Sequence, residues 1–117
     1  MIPTPKPDWW PEHLEVADSS VQVADLDASL QAFLAAAAAR HWTLFNLPLI
    51  VTSGHDGTHA SGSKHFEWKA VDLRTRDLTL DQANTFAMAI VLMQLEFKVG
   101  LFDERFIGTQ HWHVETA

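Results

Sequence analysis

Lys69-Ala70-Val71-Asp72-Leu73-Arg74-Thr75 is the stretch on which the reading of the fold turns. Its alternation is that of a strand, with Ala70 and Asp72 on one face and Val71 and Leu73 on the other. Just beyond it Thr79, with Gln82 three residues on, forms a capping box. Ala83, Phe86, Ala87, Ile90, Val91 and Gln94 then recur at helical spacing to about residue 95. That helix is apolar on most sides, so it is expected to be the central one, packed on a sheet.

Working outward, Leu26, Leu30, Phe33, Leu34 and Ala37 share a stripe behind Asp25, which predicts a capped helix over 26–41. Leu49-Ile50-Val51-Thr52 follows Pro48 as a short buried strand. Residues 97–102 suggest a strand with a turn at Gly100, and 108–116 the last strand. The fold class is therefore α+β, a small and mainly antiparallel sheet packed with two main helices. Residues 1–12 carry four prolines with Trp9 and Trp10 before Pro11, so 1–24 reads as an extended arm pinned by its indoles to a core over 25–116.

The 117 residues make one domain, and a chain of this size needs neither disulfide nor metal merely to fold. Fifteen acids against eight bases leave a formal charge of -7, which opposes the phosphate contacts of nucleic-acid binding. The lack of cysteine excludes thiolate zinc sites and cysteine nucleophiles. The apolar run 86–95 is broken by Gln94 and Glu96 and is too short to span a bilayer. The proline-rich start is not a secretory signal, so a cytoplasmic, monomeric product is expected as synthesised.

Histidines gather in two clusters, His55, His59 and His65, then His111 and His113. On a strand His111, His113 and Glu115 emerge on one face, neighbours about 6.5–7 Å apart. Asp72 on the adjacent strand, with His65 at the mouth, adds a carboxylate and an imidazole. Two histidines and one carboxylate leave a fourth tetrahedral position open, the layout of a hydrolytic zinc rather than a closed structural one. His55 and His59 also have the i, i+4 spacing of a helical zinc motif, but Gly54, Gly57 and Gly62 favour a polar loop rimming the cleft. His13 and His41 read as solvent-facing or helix-end residues.

Ser63-Lys64-His65-Phe66-Glu67-Trp68-Lys69-Ala70-Val71-Asp72 resembles the S-x-H-x-x-G-x-A-x-D signature of the zinc D-Ala-D-Ala carboxypeptidase and L-alanyl-D-glutamate endopeptidase family. His111-Trp112-His113 resembles its H-x-H partner, shared with lysostaphin-type peptidases and the hedgehog signalling domain. The resemblance spans about residues 25–116. It implies zinc held by His65, Asp72 and His113, with His111 beside it as proton shuttle or oxyanion stabiliser and Glu115 orienting a ligand. Ser63 corresponds to the serine before the first ligand. Some members place a catalytic acid where this chain has Gln110, which cannot exchange a proton, so that role falls to His111. Trp68 stands where the pattern has glycine, and the family's substrate-binding arginine has no counterpart in 53–59.

His59, Asp56 and Arg74 are the further candidates for substrate contact, Arg74 through a bidentate bond to a carboxylate. The implied activity is hydrolysis of a peptide bond in peptidoglycan stem peptides, as carboxypeptidase or endopeptidase. A phage lysis enzyme released to the cell wall would suit the size. The competing expectation is a zinc-bearing binding module, or a phage structural module, without hydrolysis.

Overall fold

The computed structural model describes residues 1–56, 64–104 and 111–117. Five strands form one sheet: β1 (Leu14–Val16), β2 (Leu49–Ser53), β3 (Ala70–Arg74), β4 (Val99–Asp103) and β5 (His111–Thr116), in the order β1-β2-β3-β5-β4. Only β1 and β2 run parallel; the other neighbours are antiparallel. The helices are α1 (Ala28–Phe45), α2 (Leu80–Val91) and α3 (Met93–Phe97), with a 3-10 turn over Lys64–Glu67. The α+β class read from the sequence is the class observed.

The parallel pair needs a crossover, and α1 supplies it. Its apolar stripe buries Leu30, Phe33, Leu34, Ala37, Ala38 and His41. Helix α1 starts two residues later than expected and is capped by Asp27, not Asp25: the Asp27 carboxylate accepts from Ser29 N–H at 3.0 Å. It also runs on past 41 until Asn46 takes a left-handed conformation, with φ 54°.

The Thr79–Gln82 capping box is present, with both reciprocal bonds made. The helix that follows is not the central one. It breaks at Leu92, and α2 buries only Ala83, Phe86 and Ile90 while Met88 and Leu95 stay 73% and 92% exposed. An all-apolar pattern reads as burial on both sides, but the inner sheet face is already covered by α1. The turn expected at Gly100 falls at Lys98, left-handed at φ 56°, and Gly100 lies within β4.

The arm contributes β1, which period-two reading of three residues could not detect. Its indoles do pin it: Trp9 Nε1–H donates to the Ala24 carbonyl at 3.0 Å, and Trp10 Nε1–H to that of Leu14 at 2.8 Å. The Met1 amino group pairs with Glu15, and Val16 N–H donates to the Met1 carbonyl at 2.6 Å. No helix among the described residues is long and apolar enough to cross a membrane.

His41, expected at a surface or helix end, is 3% exposed. Its Nδ1–H donates to the Leu47 carbonyl at 2.7 Å, closing the α1–β2 turn, and its ring meets Phe45 and Phe86 edge-on. Burial pushes its pKa below the ordinary histidine value, outweighing the Leu47 hydrogen bond and the charge of Asp77. The unfolded chain therefore binds this proton at higher pH than the folded one. Stability from neutral His41 is present above the unfolded pKa and is lost as pH falls through it. Urea unfolding from about pH 7.5 to about pH 5 is expected to show the parent weakening relative to His41→Phe, which loses about 1 kcal/mol at neutral pH with the hydrogen bond. A pH-independent difference between the two would contradict this.

Candidate metal centre

Strands β3 and β5 pair with Asp72 opposite His113, Arg74 opposite His111 and Ala70 opposite Glu115. Directly opposed residues share a face, and the intervening Val71, Leu73, Trp112 and Val114 all point into the core, fully buried. Alternation thus carries Asp72, His111, His113 and Glu115 to the face away from the helices. The 3-10 turn before β3 brings in His65, 2% exposed.

Three donor atoms converge there. His65 Nε2 lies 3.3 Å from Asp72 Oδ1 and 3.2 Å from His113 Nδ1, and His113 Nδ1 lies 3.0 Å from Asp72 Oδ1. Each imidazole uses its other nitrogen elsewhere. His65 Nδ1–H donates to the Gly54 carbonyl at 2.7 Å, and His113 Nε2–H to Glu115 Oε1 at 2.9 Å. The nitrogens facing Asp72 are therefore lone pairs in the neutral tautomers, and three acceptors meet without a donor among them. A cation answers that arrangement. Ligand distances of about 2.0–2.1 Å give a tetrahedral edge of about 3.3–3.4 Å, close to the sides of this triangle. His65, Asp72 and His113 could thus hold a metal ion.

In the metal-free chain a proton can take that place. Burial opposes charge on His113, but its hydrogen bonds to Asp72 and Glu115, with their charges, outweigh burial and raise its pKa. Burial likewise opposes ionisation of Asp72, yet hydrogen bonds from His113 and His65 and the nearby imidazole charges hold its carboxyl well below the usual range.

His111 sits beside the triangle, its Nε2 3.8 Å from Asp72 Oδ1 and 3.0 Å from Glu104 Oε1. Asp72, Glu104 and His111 form a second group with metal-ligating atoms in reach of one another. Phe102, opposite His113 on β4, is 52% exposed with its ring 5.9 Å from the imidazole, an apolar patch at the rim.

The remaining anticipated residues fall as follows. Asp56 Oδ1 accepts from Gln22 N–H and Gly54 N–H, both at 2.8 Å, tying the loop to the arm. Arg74 Nη1 is 3.5 Å from Asp77 Oδ2. Ser63, His59 and Gln110 lie outside the described residues. His55 follows β2 in a bend rather than a helix, and its Nδ1–H donates to the His65 carbonyl at 3.1 Å. Its ring stacks on Trp68 at 4.2 Å and 2°. Trp68 has φ 60°, the left-handed region that favours glycine. Its conformation is held by that stack and by the Asp27 N–H, which donates to the Trp68 carbonyl at 2.9 Å.

Sequence reasoning missed Glu104, which belongs to no recognisable spacing, and Gly54. A Cβ at Gly54 would lie 2.1 Å from the Gln22 carbonyl oxygen, so only glycine lets the two backbones approach. The Gly54 carbonyl is also the acceptor that orients His65. Gly54→Ala is expected to displace that carbonyl and lower the affinity for a divalent metal ion about 10–100-fold, read by competition with a chromophoric chelator. Unchanged affinity in the folded variant would separate Gly54 from the site. The chain matches no protein-family model, and it matches no curated protein.

Proposed function

We propose that the chain is a zinc-dependent metallopeptidase that hydrolyses a peptide bond in the stem peptides of bacterial peptidoglycan. The observation that carries the reading is the triangle of His65 Nε2, Asp72 Oδ1 and His113 Nδ1, with sides of 3.0–3.3 Å and a polar sheet face around it. Two imidazoles and one carboxylate are the donor set of a catalytic rather than a closed zinc site. The resemblance of residues 63–72 and 111–113 to the cell-wall peptidase signatures supplies the substrate class.

A zinc ion bound there supplies Lewis acidity that polarises the scissile carbonyl and brings the pKa of a water to about 7. The chain's own residues do the rest. His65, Asp72 and His113 bind, and Gly54 and Glu115 fix the two imidazole tautomers from behind. His111, hydrogen-bonded to Glu104, brings a movable proton to the edge of the triangle. On this reading Arg74, opposite His111, would meet a substrate carboxylate in competition with Asp77, and Phe102 would meet an apolar side chain.

Zinc per chain, measured by elemental analysis of gently purified protein, is expected to be one in the parent and absent from folded Asp72→Ala and His113→Ala. His111→Ala is expected to keep the metal and lose about 10²–10³-fold in turnover. Digestion of peptidoglycan with mass spectrometry of the fragments then names the bond. Zinc without fragments would favour the binding module, and no zinc uptake at all would overturn the metal reading.

A further inference from the structure

Helices α2 and α3 carry an apolar stripe that the fold leaves uncovered. Met88, Val91, Leu92 and Leu95 fall at i, i+3, i+4 and i+7, the spacing of residues that face a common partner. They are 73%, 47%, 81% and 92% exposed, and Leu44 of α1 joins them at 38%. The opposite side of α2 already packs inward through Ala83, Phe86 and Ile90. A single exposed leucine needs no account, but a contiguous stripe of this kind marks a surface that another molecule covers.

The surroundings of the stripe are complementary to the stripe itself. Leu92 borders two hollows between α1 and the α2–α3 pair, of about 420 and 440 Å³, and Arg40 and Ala89 border both. Ala36 and Ala39 line the first, where their small side chains let a further element come close. A projecting side chain beside a hollow is what a two-fold contact requires, since each copy must offer both. The charges match in the same way. Arg40 and Glu96 border one hollow, and neither makes an ion pair among the described residues. A two-fold axis between them brings Arg40 of each copy to Glu96 of the other. The stripe leaves several hundred Å² of apolar surface in water, most of the core of a specific interface of about 800 Å² per partner. An anionic bilayer is a poorer match, because the chain carries a net charge of -7 and Arg40 is the lone cation at either hollow.

We propose that a second copy of the chain covers this face, giving a two-fold dimer joined through α1, α2 and α3 in place of the monomer expected from the sequence. The polar face with His65, Asp72 and His113 lies on the other side of the sheet and stays open in both copies. The dimer therefore depends on neither the metal nor the hydrolytic reading.

Sedimentation velocity of the full chain from about 1 to about 200 µM is expected to show a species of twice 13.1 kDa that grows with concentration. Leu92→Lys and Leu95→Lys, at positions already in water, are expected to keep the parent's circular dichroism and to weaken association about 10–100-fold. Arg40→Glu and Glu96→Arg are each expected to weaken it, and the exchange of both charges in one chain to restore it. A chain that stays monomeric throughout overturns the proposal, and so does a Leu92→Lys variant that dimerises like the parent. Charge exchange without recovery overturns the two-fold arrangement. Flotation with vesicles of phosphatidylcholine and phosphatidylglycerol tests the other occupant: capture of a monomeric chain assigns the stripe to a bilayer and likewise overturns the dimer.

Discussion

Burial of the Trp112 indole is the constraint on which the rest depends. It lies in the centre of β5, fully buried, with its ring 5.5 Å from Phe86 of α2, which in turn packs on His41 of α1. Strand side chains alternate, so a one-residue slip of β5 would put this large ring into water and two imidazoles into the core. Burying a tryptophan is worth a few kcal/mol, more than any single contact among the polar residues on the other face. The hydrophobic core therefore sets the side on which His111, His113 and Glu115 stand.

With that face fixed, the site is assembled from three parts of the chain that share no local order. Residues of β3 and β5 bring Asp72 and His113 together by register. The 3-10 turn brings His65, and the turn's own position depends on the N-terminal arm: Gln22 meets Gly54, Asp56 bonds the Gln22 N–H, and Gly54 holds His65. Each imidazole is fastened at its far nitrogen, so neither tautomer nor ring orientation is left to the moment of binding. The arm thus reaches the polar face through a relay of backbone contacts as well as through β1.

How far this was legible in the residues varies with the range of the interaction. The Thr79–Gln82 box is local, and it was read correctly because three residues contain all of its chemistry. Asp72 and the 111–115 alternation were also readable, since a period of two is visible in a short string. The relation between α1 and α2 was not: both carry apolar stripes, and only the packed molecule shows that α1 takes the sheet while Met88, Leu92 and Leu95 face outward. Strand β1 was hidden because its three residues find their partner across the whole of α1. Gly54 was hidden for the same reason, defined by its close approach to Gln22, whereas Glu104 lies only seven residues from His111 but in no recognisable pattern.

The left-handed backbone at Trp68 has a consequence for how such sites are written down. A glycine in a signature records a torsion angle through the residue that reaches it at least cost. Here a left-handed torsion is held by an indole braced against the His55 ring and by a backbone hydrogen bond from the Asp27 N–H at the start of α1. The residue type at position 68 therefore does not report the torsion that the backbone takes there.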